Sequence, residues 1–343
     1  KVPIGVAVGI CPWNFPFFVM ARKVAASLIT GNTCVIKPSS EAPNTIMEFA
    51  DFIQKIKLPA GVLNFVCGAG RTVGNALSKS PITGIISLTG SVGAGQQIIT
   101  AAAENITKVS LELGGKAPAI VCADANMDLA VNSIVASKVI FSGQVCNCAE
   151  RVYVEDSIYD EFVEKITKKM SEVTVEDALT GLNADMSSLV SKSQIDKISE
   201  MVEFAKKEGA EVLVGGKRHE GFDRGYFYQP TLLTNVSQQS EIIQEEVFGP
   251  VLPVMKFNTL DEAIALSNDC QFGLTSSIFS ENYNNIMRAT NGLHFGETYV
   301  NREHFEAIQG FHAGWKKSGV GGADGKHGME EYLHTRVVYA KYY

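Results

Sequence analysis

The sequence predicts an α/β fold: a doubly wound parallel sheet followed by a second α/β domain. Three observations carry that prediction. From Val2 to Leu113, short β-branched runs alternate with segments of helical period, the pattern of a parallel sheet with helices on both faces. The turn Thr89-Gly90-Ser91-Val92-Gly93-Ala94-Gly95 follows a strand and opens a helix; ligands of such sheets bind at that end of the strands. After Lys116 the alternation begins again, and 343 residues suffice for about two domains.

In chain order, residues 3–10 alternate small and β-branched side chains and read as a buried strand. Pro12 and Pro16 fix φ on either side of Asn14, making a rigid turn. A helix over 17–29 stops at Gly31, and a strand over 33–37 ends on Lys37. Then come a helix over 44–57, a Pro-Ala-Gly turn, a strand over 62–66 and a short helix over 73–79. A strand over 84–88, a helix over 91–104 and a strand over 108–113 finish the first domain. In the second, an apolar run at helical spacing (Leu129, Ile134, Val135, Val139) leads to a loop and then a strand around Val152-Tyr153-Val154. Amphipathic helices over 157–173 and 195–207 follow, with a loop over 180–190 between them. A strand over 252–257, a helix over 260–268 and a strand over 296–301 complete the domain. Residues 335–343 read as an exposed strand, which needs a pairing partner.

Composition narrows the function. Hydrophobic content of 45% and charged content of 20% are those of an ordinary globular protein. A net charge of −7 argues against nucleic acid and anionic membrane, whose partners need a basic patch. Seven scattered cysteines favour reduced thiols, and so a cytoplasmic location, over a disulfide framework. The most apolar early stretch, 15–30, carries Arg22 and Lys23 at its centre and is too short for a bilayer. No metal-ligand spacing appears.

Two stretches carry chemistry. Ser142-Gly143-Gln144-Val145-Cys146-Asn147-Cys148 places a thiol where a helix gives way to a loop, and a thiolate there is a strong nucleophile. Packing explains a cysteine beside an apolar helix equally well. Upstream, Leu111-Glu112-Leu113-Gly114-Gly115-Lys116 embeds a carboxylate between leucines and follows it with two glycines. That is an unusual group to bury, and the glycines let the backbone approach a ligand closely.

Together these stretches resemble the two signature segments of the aldehyde dehydrogenase superfamily, and the resemblance runs from Val2 to about Tyr339. It implies an NAD(P)-binding domain over 1–113, a catalytic domain over 114–316, and a C-terminal segment with an oligomerisation strand over 317–343. Cys146 becomes the nucleophile, Glu112 the general base, and the Asn14 amide an oxyanion donor. NAD or NADP would be held by Ile10, Pro12, Trp13, Lys37, Ser39, Ser40, Gly90, Ser91, Leu113, Gly114, Glu246 and Phe248. Relatives that use NAD often carry glutamate three positions after the lysine. This chain has Ser40 there and Glu41 next, which admits NADP because serine does not repel a 2′-phosphate. Glu112 favours hydrolysis to a free acid over acyl transfer to coenzyme A.

The segment from Arg302 to Gly314 is similar to the lactaldehyde and glycolaldehyde dehydrogenase branch, and puts Arg22, Glu306 and His312 forward as substrate contacts. The substrate expected is a short 2-hydroxyaldehyde. A semialdehyde dehydrogenase and a non-catalytic protein of the same fold are the alternatives; a cysteine hydrolase would leave the dinucleotide features unexplained. Cys146 and Cys148 either form a reversible disulfide, as in some semialdehyde dehydrogenases, or Cys148 merely packs. The loop over 180–190 has Ser187-Ser188 where the family usually has Gly-Pro, and reads as a surface loop without catalytic consequence. A homo-oligomer, dimer or tetramer, is expected. Measured against full-length members, roughly the front third is absent, from which weak cofactor binding, poor turnover and altered association are expected.

Overall fold

The computed structural model describes all residues except Leu182 and His304; the part of the 180–190 loop and of the 302–314 segment that falls on these two lies outside the described residues. The chain divides into two compact units, the first comprising Lys1–Leu113, Glu306–Gly314 and Ser318–Tyr343, the second Gly114–Phe305 and Trp315–Lys317. The C-terminal segment therefore belongs with the first unit.

In the first unit, β1 (Val6–Ile10), β2 (Thr33–Lys37), β3 (Leu63–Phe65), β4 (Thr83–Thr89) and β5 (Lys108–Glu112) form a parallel sheet in the order β5-β4-β1-β2-β3. Gly319–Val320 adds an antiparallel edge beside β5. The order reverses between β1 and β4, the switch point where open α/β sheets bind ligands. Helices α1 (Pro16–Ile29) and α2 (Asn44–Lys55) cover one face through Val19, Met20, Val24 and Ile46. Helix α3 (Val92–Ala102) covers the other, packing Ile98 and Ala102 on Val8, Ile86, Leu88 and Leu111. The sheet is doubly wound, as the alternation predicts.

Two expected strands differ. The run over 3–10 is interrupted at Gly5, whose φ of 113° breaks the pleat. Val2–Pro3 instead pairs antiparallel with Leu333–His334. The expected strand over 335–343 does not form within this chain, and Val337, Val338, Tyr339 and Tyr342 are exposed. β-branched and aromatic residues favour a strand only where a neighbouring strand supplies the ladder and the packing.

In the second unit, β6 (Ala117–Val121), β7 (Ala149–Glu155), β8 (Glu211–Val214), β9 (Thr231–Thr234), β10 (Val251–Phe257), β11 (Thr275–Phe279) and β12 (Glu297–Val300) form a sheet in the order β12-β11-β6-β7-β10-β9-β8. Only the β9–β8 pair is antiparallel. Helix α4 (Met127–Val139), capped by Asn126, packs Ala130, Ile134 and Val135 against Phe162, Ile166 and Met170 of α5 (Tyr159–Ser171). Helix α6 (Lys192–Lys207) begins three residues earlier than its apolar period indicates, because Ser191 accepts a hydrogen bond from the Gln194 N–H and caps it.

Candidate active site

The first unit gathers its predicted cofactor residues at the carboxyl ends of β1, β2 and β4. Ile10 and Lys37 end their strands, and Pro12, Trp13 and Asn14 occupy the turn into α1, Asn14 being buried. Gly90 and Ser91 form the turn after β4, where Ser91 caps α3 by accepting from the Ala94 N–H at 3.2 Å. The neighbouring helix-start N–H groups suit a phosphate. Beside this turn lies a cavity of about 670 Å³ lined by Ile10, Leu88, Gly93, Ala94 and Ile98, with nothing within 4 Å of where a Gly93 side chain would begin. Its size and mixed lining fit the adenosine part of a dinucleotide. Lys37 donates to the Pro38 carbonyl at 2.8 Å, and burial lowers its pKa. Ser39 accepts from the Glu41 N–H, and Ser40 remains at the exposed rim.

Glu112 closes β5 in the same unit, its side chain only 7% exposed, with His312 Nε2 at 3.5 Å from Oε2. Arg22, on α1, forms ion pairs with Glu306 at 2.6 Å and with Asp324. Burial lowers the pKa of Lys23 to about 8, opposed by the charges of Cys11 and Glu112, and its ammonium donates to Ser87. The three predicted substrate contacts therefore lie in one network with Glu112, through two backbone bonds between His312 and Ala323 and the adjacent Asp324.

The second unit builds the thiol's surroundings from three separated stretches. Helix α4 gives way at 140–143 to a tight turn in which Phe141, Ser142 and Gly143 all have positive φ, presenting Cys146 half-buried on the loop before β7. A side chain on Gly143 would overlap the Gly249 carbonyl, and one on Gly115 would lie 2.5 Å from the Cys146 carbonyl. The backbones of the double-glycine, cysteine and 246–250 segments therefore touch. The Gly115 N–H donates to Glu246 at 2.8 Å, and burial with the nearby Glu150 charge pushes the Glu246 pKa up to about 7. Phe248 follows at a positive φ of 58°, and Gly114 lies against the Glu246 carboxylate. Together these contacts hold the Cys146 loop and the Glu246 carboxylate in fixed register.

A family model, Aldehyde dehydrogenase family, matches residues 1–338. The chain belongs to the aldehyde dehydrogenase family. Lactaldehyde dehydrogenase of Escherichia coli (strain K12) is 55% identical over 339 residues, covering 99% of this chain and 70% of that protein. Its crystal structure superimposes with a TM-score of 0.97. A 3,6-anhydro-α-L-galactose dehydrogenase from Vibrio sp. (strain EJY3) is 45% identical over 344 residues, 100% of this chain and 72% of that one. A point mutant of betaine aldehyde dehydrogenase of Staphylococcus aureus, solved in complex with NAD+, is 36% identical with a TM-score of 0.95, over 97% of this chain and 68% of that one.

Several residues of this aldehyde dehydrogenase escaped the sequence reading. Behind the cysteine loop, Glu150 accepts from Lys116 at 2.9 Å, from Lys138 at 2.7 Å and from the Val247 N–H at 3.0 Å, all fully buried. The two lysines hold its pKa down to about 2 against burial. Cys148 is wholly buried, and burial pushes its thiol up to about 12. The loop over 180–190 is not remote from the nucleophile segment: the Ser187 carbonyl accepts from Ser142 at 2.7 Å, and the Val190 N–H donates to Gln144 at 2.9 Å. A loop that lacks an apolar period carries no sequence signal of what its backbone touches. Among the described residues no group of three or more His, Cys, Asp or Glu could hold a metal, and no helix is long and apolar enough to cross a membrane.

Proposed function

We propose that this aldehyde dehydrogenase oxidises short 2-hydroxyaldehydes, such as lactaldehyde or glycolaldehyde, to carboxylic acids with NAD or NADP. The observation that carries the substrate class is the polar set of half-buried Arg22 and Glu306 with buried His312, since a tunnel for plain alkyl aldehydes would be apolar. The relation to lactaldehyde dehydrogenase supports it. Family membership supports assigning Cys146, Asn14 and Glu112 to one reaction. The Cys146 thiolate adds to the aldehyde carbonyl, and the Asn14 amide with the Cys146 N–H stabilises the oxyanion of the thiohemiacetal. A nicotinamide held by the first unit would supply the hydride acceptor. That leaves a thioester on Cys146, which Glu112 hydrolyses by taking a proton from water, returning the free thiol and the acid. Ser40, at the exposed rim, puts no carboxylate where a 2′-phosphate would lie, so both cofactors are accepted.

A site that hydrogen-bonds a hydroxyl rejects an analogue lacking it, because its own polar groups go unpaired. Lactaldehyde is therefore expected to exceed propanal in kcat/KM by a factor on the order of 10² or more. Equal efficiencies would remove this substrate class, and succinate semialdehyde as the best substrate would put a semialdehyde dehydrogenase in its place. Parallel assays with NAD and NADP read cofactor choice, and total loss of activity with one of them would refute dual use. Seven free thiols fit a reducing cytoplasm. The exposed valines and tyrosines over 335–343 suit a homo-oligomeric contact; light scattering that finds only a monomer would exclude it.

A further inference from the structure

We propose that Asp324 turns the group around Arg22 into a filter against anions, so that the enzyme takes uncharged aldehydes and rejects those bearing a carboxylate. The proposal rests on the reading of Arg22, Glu306 and His312 as neighbours of the substrate. An arginine beside a substrate is ordinarily the receptor for a carboxylate, which it binds with its planar fork of donors. Here that role is pre-empted from within the chain. Arg22 Nη2 donates both to Glu306 and to Asp324, and the guanidinium lies 4.5 Å from the ring centre of Phe18. The arginine and Asp324 side chains are 10% and 3% exposed, so water screens the triad little.

Two carboxylates on one guanidinium leave the triad with an excess negative charge. Glu112 adds a third carboxylate, and His312, which faces all three, is paired with it at 3.5 Å, so that a charged imidazole is offset by Glu112; the Lys23 ammonium is bonded to Ser87. Both ionic bonds leave Arg22 from a single terminal nitrogen, so its charge is matched while other donors can still serve a neutral hydroxyl. The position of Asp324 is enforced. Its backbone has φ 64° and ψ 167°, a region other than glycine seldom occupies and one that recurs at functional sites. On one side Ala323 exchanges two backbone hydrogen bonds with His312, of 2.8 and 2.9 Å. On the other the Gly325 N–H donates to the Ile308 carbonyl, and a Gly325 side chain would lie 2.6 Å from the Gln309 carbonyl. Asp324 acts as a positioning residue: it fixes and neutralises Arg22.

The test uses the full chain at saturating cofactor and compares butanal with succinate semialdehyde, which share a carbon count and differ in charge. Wild type is expected to favour butanal in kcat/KM by about tenfold or more. Asp324→Asn, which tolerates positive φ, and Asp324→Gly, which removes the strain, should each shrink that ratio by about tenfold, chiefly through a lower KM for the anion. Glu306→Gln removes the triad's other carboxylate, should shift the ratio the same way, and decides the matter if neither Asp324 variant folds. A wild-type ratio near one, or a ratio unchanged in the folded variants, overturns the proposal. The lactaldehyde-to-propanal ratio is read separately. Should it be near one while the anion is still rejected, the hydroxyaldehyde reading falls and the filter stands.

Discussion

Single residues in this protein are set by what burial does to charge. Glu303 shows it most plainly: its carboxylate accepts from Ser277 and, at 3.3 Å, from Ser137, yet burial pushes its pKa up to about 7. Between the ordinary carboxyl value of 4.5 and about 7 the native state holds a proton that the unfolded chain has released. Stability therefore falls as pH rises through that window, and the penalty is complete above it. Glu303→Gln should remove part of this slope, so that urea unfolding at pH near 5 and near 8 differs less in the variant than in wild type. An unchanged difference would show that Glu303 is already ionised at the lower pH. Cys148 obeys the same rule: a thiol raised to about 12 is scarcely thiolate at neutral pH and serves as packing, whereas Cys146 is half-buried at a loop. Of the two readings of the Cys-x-Cys pair, packing of Cys148 is the one this environment favours.

At the scale of elements, the backbone turn at 140–143 sets the position of Cys146, the proposed nucleophile. Gly143 has φ 74° and abuts the Gly249 carbonyl, so any side chain is both strained and obstructed. Gly143→Ala is expected to move the cysteine loop away from the 246–250 segment. Activity should fall by about 10² or more, as misplacement of reacting groups by ~1 Å costs that much, while the melting transition shifts modestly. Activity within twofold of wild type would show that the loop's register does not matter. Elements were legible where chemistry is local. The strand ending on Lys37 and the helix Leu260–Asn268 fall where periodicity puts them, and Ser91 caps its helix as its side chain dictates. Illegible were contacts made by backbone between distant stretches, such as Ser187 on Ser142, and a strand over 335–343 that side-chain preference favours but no ladder completes.

Across the whole molecule, family membership could be read from the sequence because its two signature segments are local runs, a carboxylate before two glycines and a cysteine after Gly143. Asp324 could not be read, since an aspartate before a glycine in a loop is an ordinary turn, and only the fold brings it to Arg22. The buried trio of Lys116, Lys138 and Glu150 was hidden for the same reason: a loop, a helix and a strand each contribute one member. The central claim is that Cys146 carries the substrate as an acyl thioester that Glu112 hydrolyses. Its most direct test is peptide mass spectrometry of the Glu112→Gln enzyme after incubation with lactaldehyde and NAD or NADP. A lactoyl adduct is expected on the peptide bearing Cys146, absent when cofactor is omitted; no adduct, or one confined to another cysteine such as the exposed Cys67, would contradict this role of Cys146.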